Sequence, residues 1–380
     1  MQIKKYKPLA LGFIGGSLTS AVGYVHFSAC LMDNKFTLDA GCFSKDKNES
    51  LRTADKYGVD RERTYTDWEE MLLKEKDKLD AVVILTPTPF HFGMVKKCLE
   101  NGLPVICEKT LAITSKETKE LDDLVHKKNG FLVVTYNYTG YPMLRELKQI
   151  IKDGKLGQIL HFQAQMPQEG FIRLNSKGEK PVPQQWRLSD REVPTIHLDL
   201  ATHLHEIIYY LTNEKPIETI SDQASDGWFK NIIDNVTCLC RYSNNIQGQI
   251  WFSKSALGHR NGLEISIYGT KGSVKWVQMN PEELIISFVD GHKQILDRAS
   301  NVNVADQAKY TRFKAGHPAG FIEAFANLYC DIEKALIEYK ETGKWKSEEV
   351  FGADLATDGL KFMETMVLSS KTKKWEQVNS

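Results

Sequence analysis

The sequence predicts an α/β protein of two domains, the first built on a parallel sheet and the second on a large, mostly antiparallel open sheet. Three observations support this prediction: the length, an alternation of strand and helix patterns in the first third, and a later change to strands of alternating polarity. At 380 residues the chain is long enough for two separate cores. We expect the first domain over residues 1–135 and the second over residues 136–380.

The first domain alternates short apolar, β-branched runs with helical patterns. This alternation is typical of βαβ units around a buried parallel sheet. The predicted strands are LALGFIG (9–15), TLDAGCF (37–43), AVVILT (81–86), PVICEK (104–109) and FLVVTYN (131–137). The predicted helices lie near residues 20–32, 46–57, 91–101 and 114–129.

The second domain changes to strands of alternating polarity separated by turns, which is typical of an antiparallel sheet with one face left open. Its predicted strands are QILHFQAQM (158–166), DNVTCLCRYS (234–243), NIQGQIWFSKS (245–255), GLEISIYGTKGSVKWV (262–277) and ELIISFVDGHKQIL (283–296). Its predicted helices are 141–153, 200–211, 318–340 and 350–369. Residues 235–290 place apolar side chains on both strand faces, so we expect the open face to be buried in a homo-oligomer, a dimer or a tetramer.

Composition narrows the class of ligand. Lys+Arg and Asp+Glu number 49 each, which removes the charge argument for a nucleic-acid or membrane partner and favours a small molecule. No apolar run is long enough for a membrane span or a signal peptide, so we expect a cytoplasmic protein. The seven cysteines form no CxxC pair and lie mostly in apolar runs, which favours buried free thiols over disulfides or a metal site.

The end of the first strand carries a glycine turn where a dinucleotide pyrophosphate would meet a helix N-terminus. This position predicts a Rossmann nucleotide site, although Ser17 and Ser20 stand where the second and third glycines of the usual fingerprint belong. The alternative is an ordinary strand-to-helix turn that binds no nucleotide. The candidate cofactor-binding residues of this turn are Gly12, Gly15, Gly16, Ser17 and Leu18.

The end of the second strand favours NADP over NAD. A carboxylate at this position binds the ribose of NAD, whereas a hydroxyl and a cation suit a 2′-phosphate. Ser44 and Lys45 stand at the tip, with Asp46 beyond them. Lys45 is equally compatible with an ordinary solvated surface lysine.

Residues 82–112 contain two short motifs that resemble the Gfo/Idh/MocA family, named for glucose–fructose oxidoreductase, inositol dehydrogenase and a rhizopine-catabolism protein. The family has a Thr-Pro-Asn-x-x-His turn and a strand that ends in Glu-Lys-Pro. The matching positions are Thr86, Pro87, Thr88 and His91, then Glu108, Lys109 and Thr110. Because threonine replaces a proline that is often cis, and a cis bond before threonine costs about 3 kcal/mol, we expect either a trans bond here or another support for Lys109.

The resemblance covers about residues 9–340 and implies a Rossmann domain followed by an α/β domain whose open sheet often makes a dimer. It also implies cofactor contacts from Thr86, Pro87, His91, Glu108, Lys109 and Asn137. It implies substrate contacts from Tyr141, Trp186, Arg187, His197 and His317. For the segment around Asn137, a plain interdomain linker is the alternative.

The stretch HLDLATHLHE (197–206) holds three of the ten histidines. The family has an Asp-x-x-x-His pair on an active-site helix, which Asp199 and His203 match, and four residues place both side chains on one helical face. The resemblance thus implies catalysis by Lys109, Asp199 and His203, with His203 as the base and Lys109 stabilising charge on the oxygen. Alternatively, Asp199 is only the N-cap of helix 200–211. We expect His205 to be structural and no metal to bind here.

Together these features predict an NAD(P)-dependent dehydrogenase or reductase that acts on a ring hydroxyl or ketone of a sugar, nucleotide-sugar or inositol-like compound. Two alternatives remain open at this stage. One is a non-catalytic NAD(P)-binding sensor or scaffold, which keeps the fold without turnover. The other is an enzyme with tightly bound cofactor that moves hydride between two sugars.

Overall fold

The computed structural model describes residues 7–379 and separates into two compact units. Within the described residues, the first unit comprises 7–112, 116–140 and 321–356. The second unit comprises 113–115, 141–320 and 357–379. The α/β class and the two kinds of sheet are as predicted, but the chain enters the first unit again after leaving it.

The elements follow one another along the chain as predicted, with a few additions. The strands are β1 Leu9–Gly15, β2 Phe36–Cys42, β3 Ala81–Leu85, β4 Val105–Cys107, β5 Leu132–Val134, β6 Ile159–Pro167, β7 Pro216–Ala224, β8 Asn235–Tyr242, β9 Gln247–Ser253, β10 Glu264–Gly269, β11 Gly272–Val277, β12 Asn280–Phe288, β13 Lys293–Leu296 and β14 Glu376–Gln377. The α-helices are α1 Gly23–Leu31, α2 Lys47–Tyr57, α3 Trp68–Glu75, α4 His91–Glu100, α5 Ser115–Lys128, α6 Pro142–Lys152, α7 Thr202–Thr212, α8 Phe321–Thr342 and α9 Ala353–Thr372.

The first unit is built on a five-stranded sheet in the order β2-β1-β3-β4-β5. All four pairings are parallel, which confirms the prediction made from the apolar runs. In a parallel sheet the carboxyl ends of all strands lie along one edge, where ligands of this architecture bind. The glycine turn after β1 and the residues that follow β3, β4 and β5 therefore share this edge.

The long helix α8 belongs to the first unit, although it lies far along the chain. Its apolar side chains join the same buried core as residues of β1, β2 and β3. Phe36 of β2, for example, packs edge-on against Tyr329 of α8 with ring centroids 5.6 Å apart. A boundary at residue 135 therefore put α8 in the wrong unit, because no local sequence pattern records a contact made over so long a separation.

The second unit is built on a nine-stranded sheet in the order β13-β12-β11-β10-β6-β9-β8-β7-β14. Only the β6–β9 pair is parallel, so the predicted open, mostly antiparallel sheet is confirmed. One face of this sheet is buried, as the strict alternation of buried and exposed residues along β8 shows.

The open face of the sheet is more polar than the sequence led us to expect. One shallow depression on this face is lined by Gln163, Ala164, Gln165, Thr237, Gln249, Trp251, Glu264, Ser266, Tyr268 and Lys275. Most of these side chains are polar, but apolar side chains also lie on this face, among them Leu239 and Ile295, which are 48% and 60% exposed. Apolar side chains therefore lie on both faces of the sheet, as predicted, although polar side chains surround the depression on the open face.

Three elements of the structure, α3, β7 and the short β14, were not predicted. For α3 the sequence does contain a start signal, Asp67. Its carboxylate accepts a hydrogen bond from the backbone N–H of Glu69 at 2.8 Å and caps the first turn. Strand β7 begins at Pro216, and proline is tolerated at the first residue of a strand.

The structure also tests the predictions about the cysteines, and it was searched for metal-binding groups and membrane-spanning helices. All seven cysteines are free and buried, as predicted. Within residues 7–379 no group of three or more histidine, cysteine or acidic side chains has metal-binding geometry. No helix of that part of the chain is both long and apolar enough to cross a bilayer.

Candidate active site

The glycine turn after β1 has a backbone that only glycine adopts easily. Gly15 and Gly16 have φ values of 84° and 75°, in the left-handed region. A Cβ on Gly15 would lie 2.9 Å from the carbonyl carbon of Leu85, at the end of β3. The two glycines thus leave a cradle of bare backbone at the carboxyl edge of the sheet, which fits the close approach of a pyrophosphate.

A third glycine, Gly23, supplies the close helix–strand packing for which the sequence had offered only serine. A Cβ at Gly23, the first residue of α1, would lie 2.2 Å from the carbonyl oxygen of Gly16. The loop between turn and helix is longer than in the usual fingerprint, so the fixed spacing missed it. Gly12 instead lies within β1, where a Cβ would meet the Leu79 side chain at 2.5 Å, so it serves strand packing.

The other residues of the turn form a small hydrogen-bonded loop. The Ser17 hydroxyl, nearly buried, lies 3.0 Å from the hydroxyl of Thr19. The exposed Leu18 donates its backbone N–H to the Thr53 hydroxyl at 3.2 Å. Ser20 accepts the backbone N–H of Gly23, the first residue of α1, at 3.2 Å.

The predicted ribose-recognition residues lie just after β2. Ser44 accepts the backbone N–H of Asp46 at 3.1 Å, and Lys45 is exposed. The Asp46 carboxylate caps α2 by accepting the backbone N–H of Glu49 at 2.7 Å. The acidic group nearest the tip is therefore engaged in helix capping.

His91, from the motif that follows β3, links two turns of this edge. Its ring nitrogens lie 2.8 Å from the Thr110 carbonyl oxygen and 2.6 Å from that of Thr86. Burial lowers the pKa of His91, although the two carbonyls act in the opposite direction. Pro87 is exposed between these turns. His91 therefore ties the segment after Lys109 to the end of β3.

Glu108 and Lys109 follow β4 directly. Glu108 is 6% exposed, continues the sheet by donating its N–H to the Ile84 carbonyl at 2.9 Å, and accepts from the Thr135 hydroxyl. Lys109 is half-buried, and the Lys109–Thr110 peptide bond is cis. Of the two alternatives, a trans bond or another support for Lys109, the trans bond is therefore wrong.

Asn137 lies beyond β5 on the same edge and is 2% exposed. Its side-chain nitrogen has no hydrogen-bond partner within the described residues. A buried amide donor without a partner is costly, and a carbonyl or hydroxyl oxygen of a ligand would satisfy it. This orphaned group and the bare glycine backbone both fit a bound dinucleotide.

In the second unit, Asp199 is held between two cations rather than at a helix terminus. It accepts a hydrogen bond from Arg187, and its Oδ2 lies 2.5 Å from the Lys254 ammonium. Asp199 falls inside a π-helical turn, His197–Ala201, that leads into α7, and no side chain caps either segment. The N-cap alternative is therefore wrong. Single π turns within helices are frequent at functional sites.

Lys254 is the member of this cluster that the sequence did not reveal. It follows β9, is 9% exposed, and its ammonium also lies 5.3 Å from the centre of the Phe171 ring. The sequence WFSKS places this lysine directly after a buried strand, and that position is the signal that could have marked it as a site residue. Its partnership with Asp199 is a tertiary contact that the sequence order does not indicate.

The three histidines of the opening stretch are all buried, but in different surroundings. His197 is fully buried, packs edge-on against Phe252 at 5.1 Å, and burial lowers its pKa to about 3. His205 is 2% exposed, and burial lowers its pKa to about 4, which fits the expected structural role. His203 is 4% exposed. His197 is thus a neutral core residue rather than an open pocket wall.

The remaining candidates of the second unit are more dispersed. The Trp186 ring lies under the Arg187 guanidinium at 4.5 Å, beside Asp199. Tyr141 is 1% exposed, its hydroxyl accepting from Gln278 at 2.9 Å, which makes it a core residue. His317 is exposed and stacks edge-on against Phe313. The structure therefore joins Trp186 and Arg187 to Asp199, whereas Tyr141 and His317 make their described contacts elsewhere.

Replacing Asp199 with asparagine should lower the free energy of unfolding by about 3 kcal/mol, because it leaves two largely buried cations uncompensated. Lys254→Met alone should cost less, and the double variant should cost at least about 1 kcal/mol less than the sum of the two. Denaturant unfolding of the four proteins measures this coupling. If the losses in unfolding free energy of the two single variants simply add in the double variant, the ion pair contributes no coupling energy.

Comparison with known proteins gives matches along most of the chain. The model described as "Oxidoreductase family, NAD-binding Rossmann fold" matches residues 9–136, and that of the GFO/IDH/MocA C-terminal domain matches residues 144–275. An uncharacterized oxidoreductase, YfiI of Bacillus subtilis, is 31% identical over 96% of this chain and 95% of its own.

Solved structures agree with the sequence matches. An oxidoreductase from Pseudomonas syringae is 28% identical with a TM-score of 0.86, covering 98% of this chain and 99% of its own. An inositol dehydrogenase homolog from Azotobacter vinelandii, solved with NADH and myo-inositol, is 26% identical with a TM-score of 0.87, covering 98% of each chain. Both domains match the family models, and the parallel sheet and the glycine turn agree with these matches. The chain therefore belongs to the Gfo/Idh/MocA family of oxidoreductases, whose N-terminal domain is an NAD-binding Rossmann fold.

Proposed function

We propose that the protein is a dehydrogenase or reductase that interconverts a ring hydroxyl and a ketone on a sugar, a nucleotide-sugar or an inositol-like compound. The observation that carries the proposal is Lys109, which directly follows the buried Glu108 at the ligand-binding edge of a NAD-binding sheet. A cation at this edge suits a reaction in which negative charge develops on an oxygen.

The first unit would hold the dinucleotide along its carboxyl edge. The backbone of Gly15 and Gly16 would face the pyrophosphate, and the side-chain nitrogen of Asn137 would donate to a polar group of the nicotinamide half. The nicotinamide ring supplies the hydride acceptor or donor when it is bound. The residues of the chain supply position, charge and proton transfer.

We assign three chemical roles to the chain. Lys109 would stabilise the negative charge that develops on the substrate oxygen. His203 would take the hydroxyl proton during oxidation and return it during reduction. Asp199, an ionised carboxylate beside Arg187 and Lys254, would accept a hydrogen bond from a further substrate hydroxyl.

The substrate class rests on the density of polar groups around Asp199 and on the relative from Azotobacter vinelandii. A compound with several neighbouring hydroxyls matches a carboxylate, a guanidinium and an ammonium held together, because each can exchange hydrogen bonds with a hydroxyl. That relative was solved with myo-inositol, which is such a compound.

A screen of sugars and cyclitols with NAD and NADP, followed by nicotinamide absorbance, tests the function. Turnover of at least one polyol by the wild-type chain is expected. Binding of dinucleotide with no turnover of any polyol would indicate a sensor or scaffold instead. Nicotinamide absorbance that stays with the protein through gel filtration would indicate hydride exchange between two sugars.

NADP should bind more tightly than NAD, since Ser44 and Lys45 offer a hydroxyl and a cation to a 2′-phosphate while Asp46 caps α2. Lys45→Ala should weaken NADP about tenfold and leave NAD unchanged, the scale of one charged hydrogen bond. Lys47→Ala, an exposed lysine in the first turn of α2, is the matched control. Calorimetry with both dinucleotides measures the ratio, and equal binding of the two by the wild type would refute the preference.

We propose that the open face of the nine-stranded sheet forms the contact of a homo-oligomer. Trp251 and Tyr268 provide aromatic area among side chains that can pair across such a contact. Trp251→Glu should shift the sedimentation profile toward monomer at micromolar protein. Leu73→Glu, on an exposed position of α3 in the other unit, should leave the profile unchanged. A monomeric wild type would contradict the proposal.

A further inference from the structure

A chain of buried hydrogen bonds links three separate segments of the first unit to Glu108. The ring of His26 in α1 lies 2.8 Å from the Tyr329 hydroxyl through Nδ1 and 3.0 Å from Glu108 Oε1 through Nε2. The Thr135 hydroxyl donates to the same carboxylate oxygen. His26 and Thr135 are fully buried, Tyr329 is 1% exposed and Glu108 is 6% exposed. Four polar side chains therefore form one network inside the core.

Such a network is expensive as a purely structural device. A buried ion pair or polar group gains little stability over well-packed apolar side chains of the same volume. Here the carboxylate is kept charged: burial raises the pKa of Glu108, but the hydrogen bond and charge of His26, the charge of Lys109 and the hydrogen bond from Thr135 together hold it below its usual value. The fold thus maintains a negative charge directly before Lys109.

The network also fixes the backbone on both sides of Lys109. Glu108 precedes it and is held through His26, while the Thr110 carbonyl follows it and is held by His91 at 2.8 Å. The two histidines come from α1 and α4, helices that flank the carboxyl edge of the sheet. Lys109 therefore leaves the strand between two anchored residues.

We propose that His26 is a positioning residue for the reaction: acting through Glu108, with Tyr329 orienting its ring, it fixes the place and the charge environment of Lys109. This inference rests on the proposed function, because it assigns Lys109 a role in turnover. His26 itself is fully buried and is assigned no contact with substrate or cofactor.

Several titratable groups surround Glu108, and any one of them contributes to its charge state. They are His26 from α1, Tyr329 from α8, His91 from α4, and Cys107 and Lys109 on its own segment. Of these, His26 is the one whose ring donates directly to the carboxylate. Removing it should make Glu108 easier to protonate, since a buried carboxylate that loses one of its donors favours the neutral form more.

Two amide substitutions separate the two contacts of His26. In His26→Gln the side-chain nitrogen occupies the place of Nε2 and can still donate to Glu108. In His26→Asn the nitrogen occupies the place of Nδ1. The contact with Glu108 is then lost, while the contact with Tyr329 is kept. Tyr329→Phe removes only the hydroxyl. Phe325→Leu alters the ring that packs on His26 at 4.6 Å and leaves every hydrogen bond in place, so it serves as the packing control.

We expect His26→Asn to lower kcat by about 10- to 100-fold, the scale of a small displacement of a catalytic group. The KM for dinucleotide should change by less than about threefold. The acid limb of the kcat profile should move to higher pH, because protonation of Glu108 adds a loss of rate to that caused by protonation of the base. His26→Gln should retain most of the activity, and Tyr329→Phe should fall between the two. Phe325→Leu should change stability without moving the pH profile. Equal losses in the Gln and Asn variants, with an unmoved acid limb, would overturn the proposal.

The outcome can be separated from a failure of the proposed function. If Lys109→Met is inactive while both His26 variants behave like wild type, the function stands and the positioning role falls. If the wild-type chain turns over no polyol, ¹⁵N-histidine spectra of the full chain decide instead. The His26 resonance, identified by its loss in His26→Gln, should then shift in Glu108→Gln and in Tyr329→Phe. An unshifted resonance in both variants would overturn the contacts on which the proposal rests.

Discussion

Lys109→Met should lower turnover by about a hundredfold or more, the effect of losing one electrostatic contact to a developing oxyanion. The affinity for dinucleotide should stay within a few-fold of the wild type, because the glycine turn and Asn137 would hold the cofactor. Methionine keeps the length and the apolar stem of lysine, so the loss reports charge rather than packing. Steady-state kinetics and a separate titration with NADH measure the two quantities.

Lys96→Met provides the control for Lys109→Met. Lys96 is a partly exposed lysine of α4 that pairs with Glu120 at 2.6 Å, and surface pairs of this kind contribute little. Turnover in this variant should equal that of the wild type. Near-normal turnover in Lys109→Met would remove the lysine from the mechanism and favour a sensor or scaffold.

His203→Gln should lower turnover by about 100- to 10,000-fold, the contribution of a well-placed general base. Glutamine keeps much of the volume and the hydrogen-bonding capacity of histidine but does not accept a proton. In the wild type, oxidation should lose rate toward acid pH, where protonation of the base stops it from accepting the hydroxyl proton. That acid limb should be absent from the residual activity of the variant.

His205→Gln is the matched control, because it changes a buried histidine two positions further along α7. Gly359 packs directly on the His205 ring, where a Cβ would lie 2.9 Å from its Cδ2. This variant should lose thermal stability and keep the acid limb. An acid limb that persists in His203→Gln would assign the proton transfer to another group.

Much of the first unit could be predicted from the sequence because its signals are local. Buried parallel strands appear as short apolar runs, and the turn after β1 is marked by its position between a strand and a helix. The motifs around His91 and Lys109 are likewise contiguous in sequence. In the structure they lie where such contiguity requires, at the carboxyl ends of β3 and β4.

The features that escaped prediction all depend on tertiary contacts. Gly23 acts against the backbone of Gly16 across a loop of irregular length, so no fixed spacing reveals it. Asp199 satisfies the statistical profile of an N-cap, yet two cations from distant segments stabilise its carboxylate more strongly than a helix terminus would. The roles assigned to Lys254 and His26 depend on contacts with residues that are distant from them in the sequence.

The membership of α8 in the first unit has a consequence for the order in which the protein can fold during synthesis. The ribosome releases β1 to β5 early, but their shared core also needs Phe325, Tyr329, Ile332 and Leu336 of α8. Until that helix emerges, apolar surface of the nascent Rossmann unit stays uncovered, while all the strands of the second sheet except β14 have already been made. The nucleotide-binding unit is therefore begun first and completed late, and its production depends on an intact distal part of the chain.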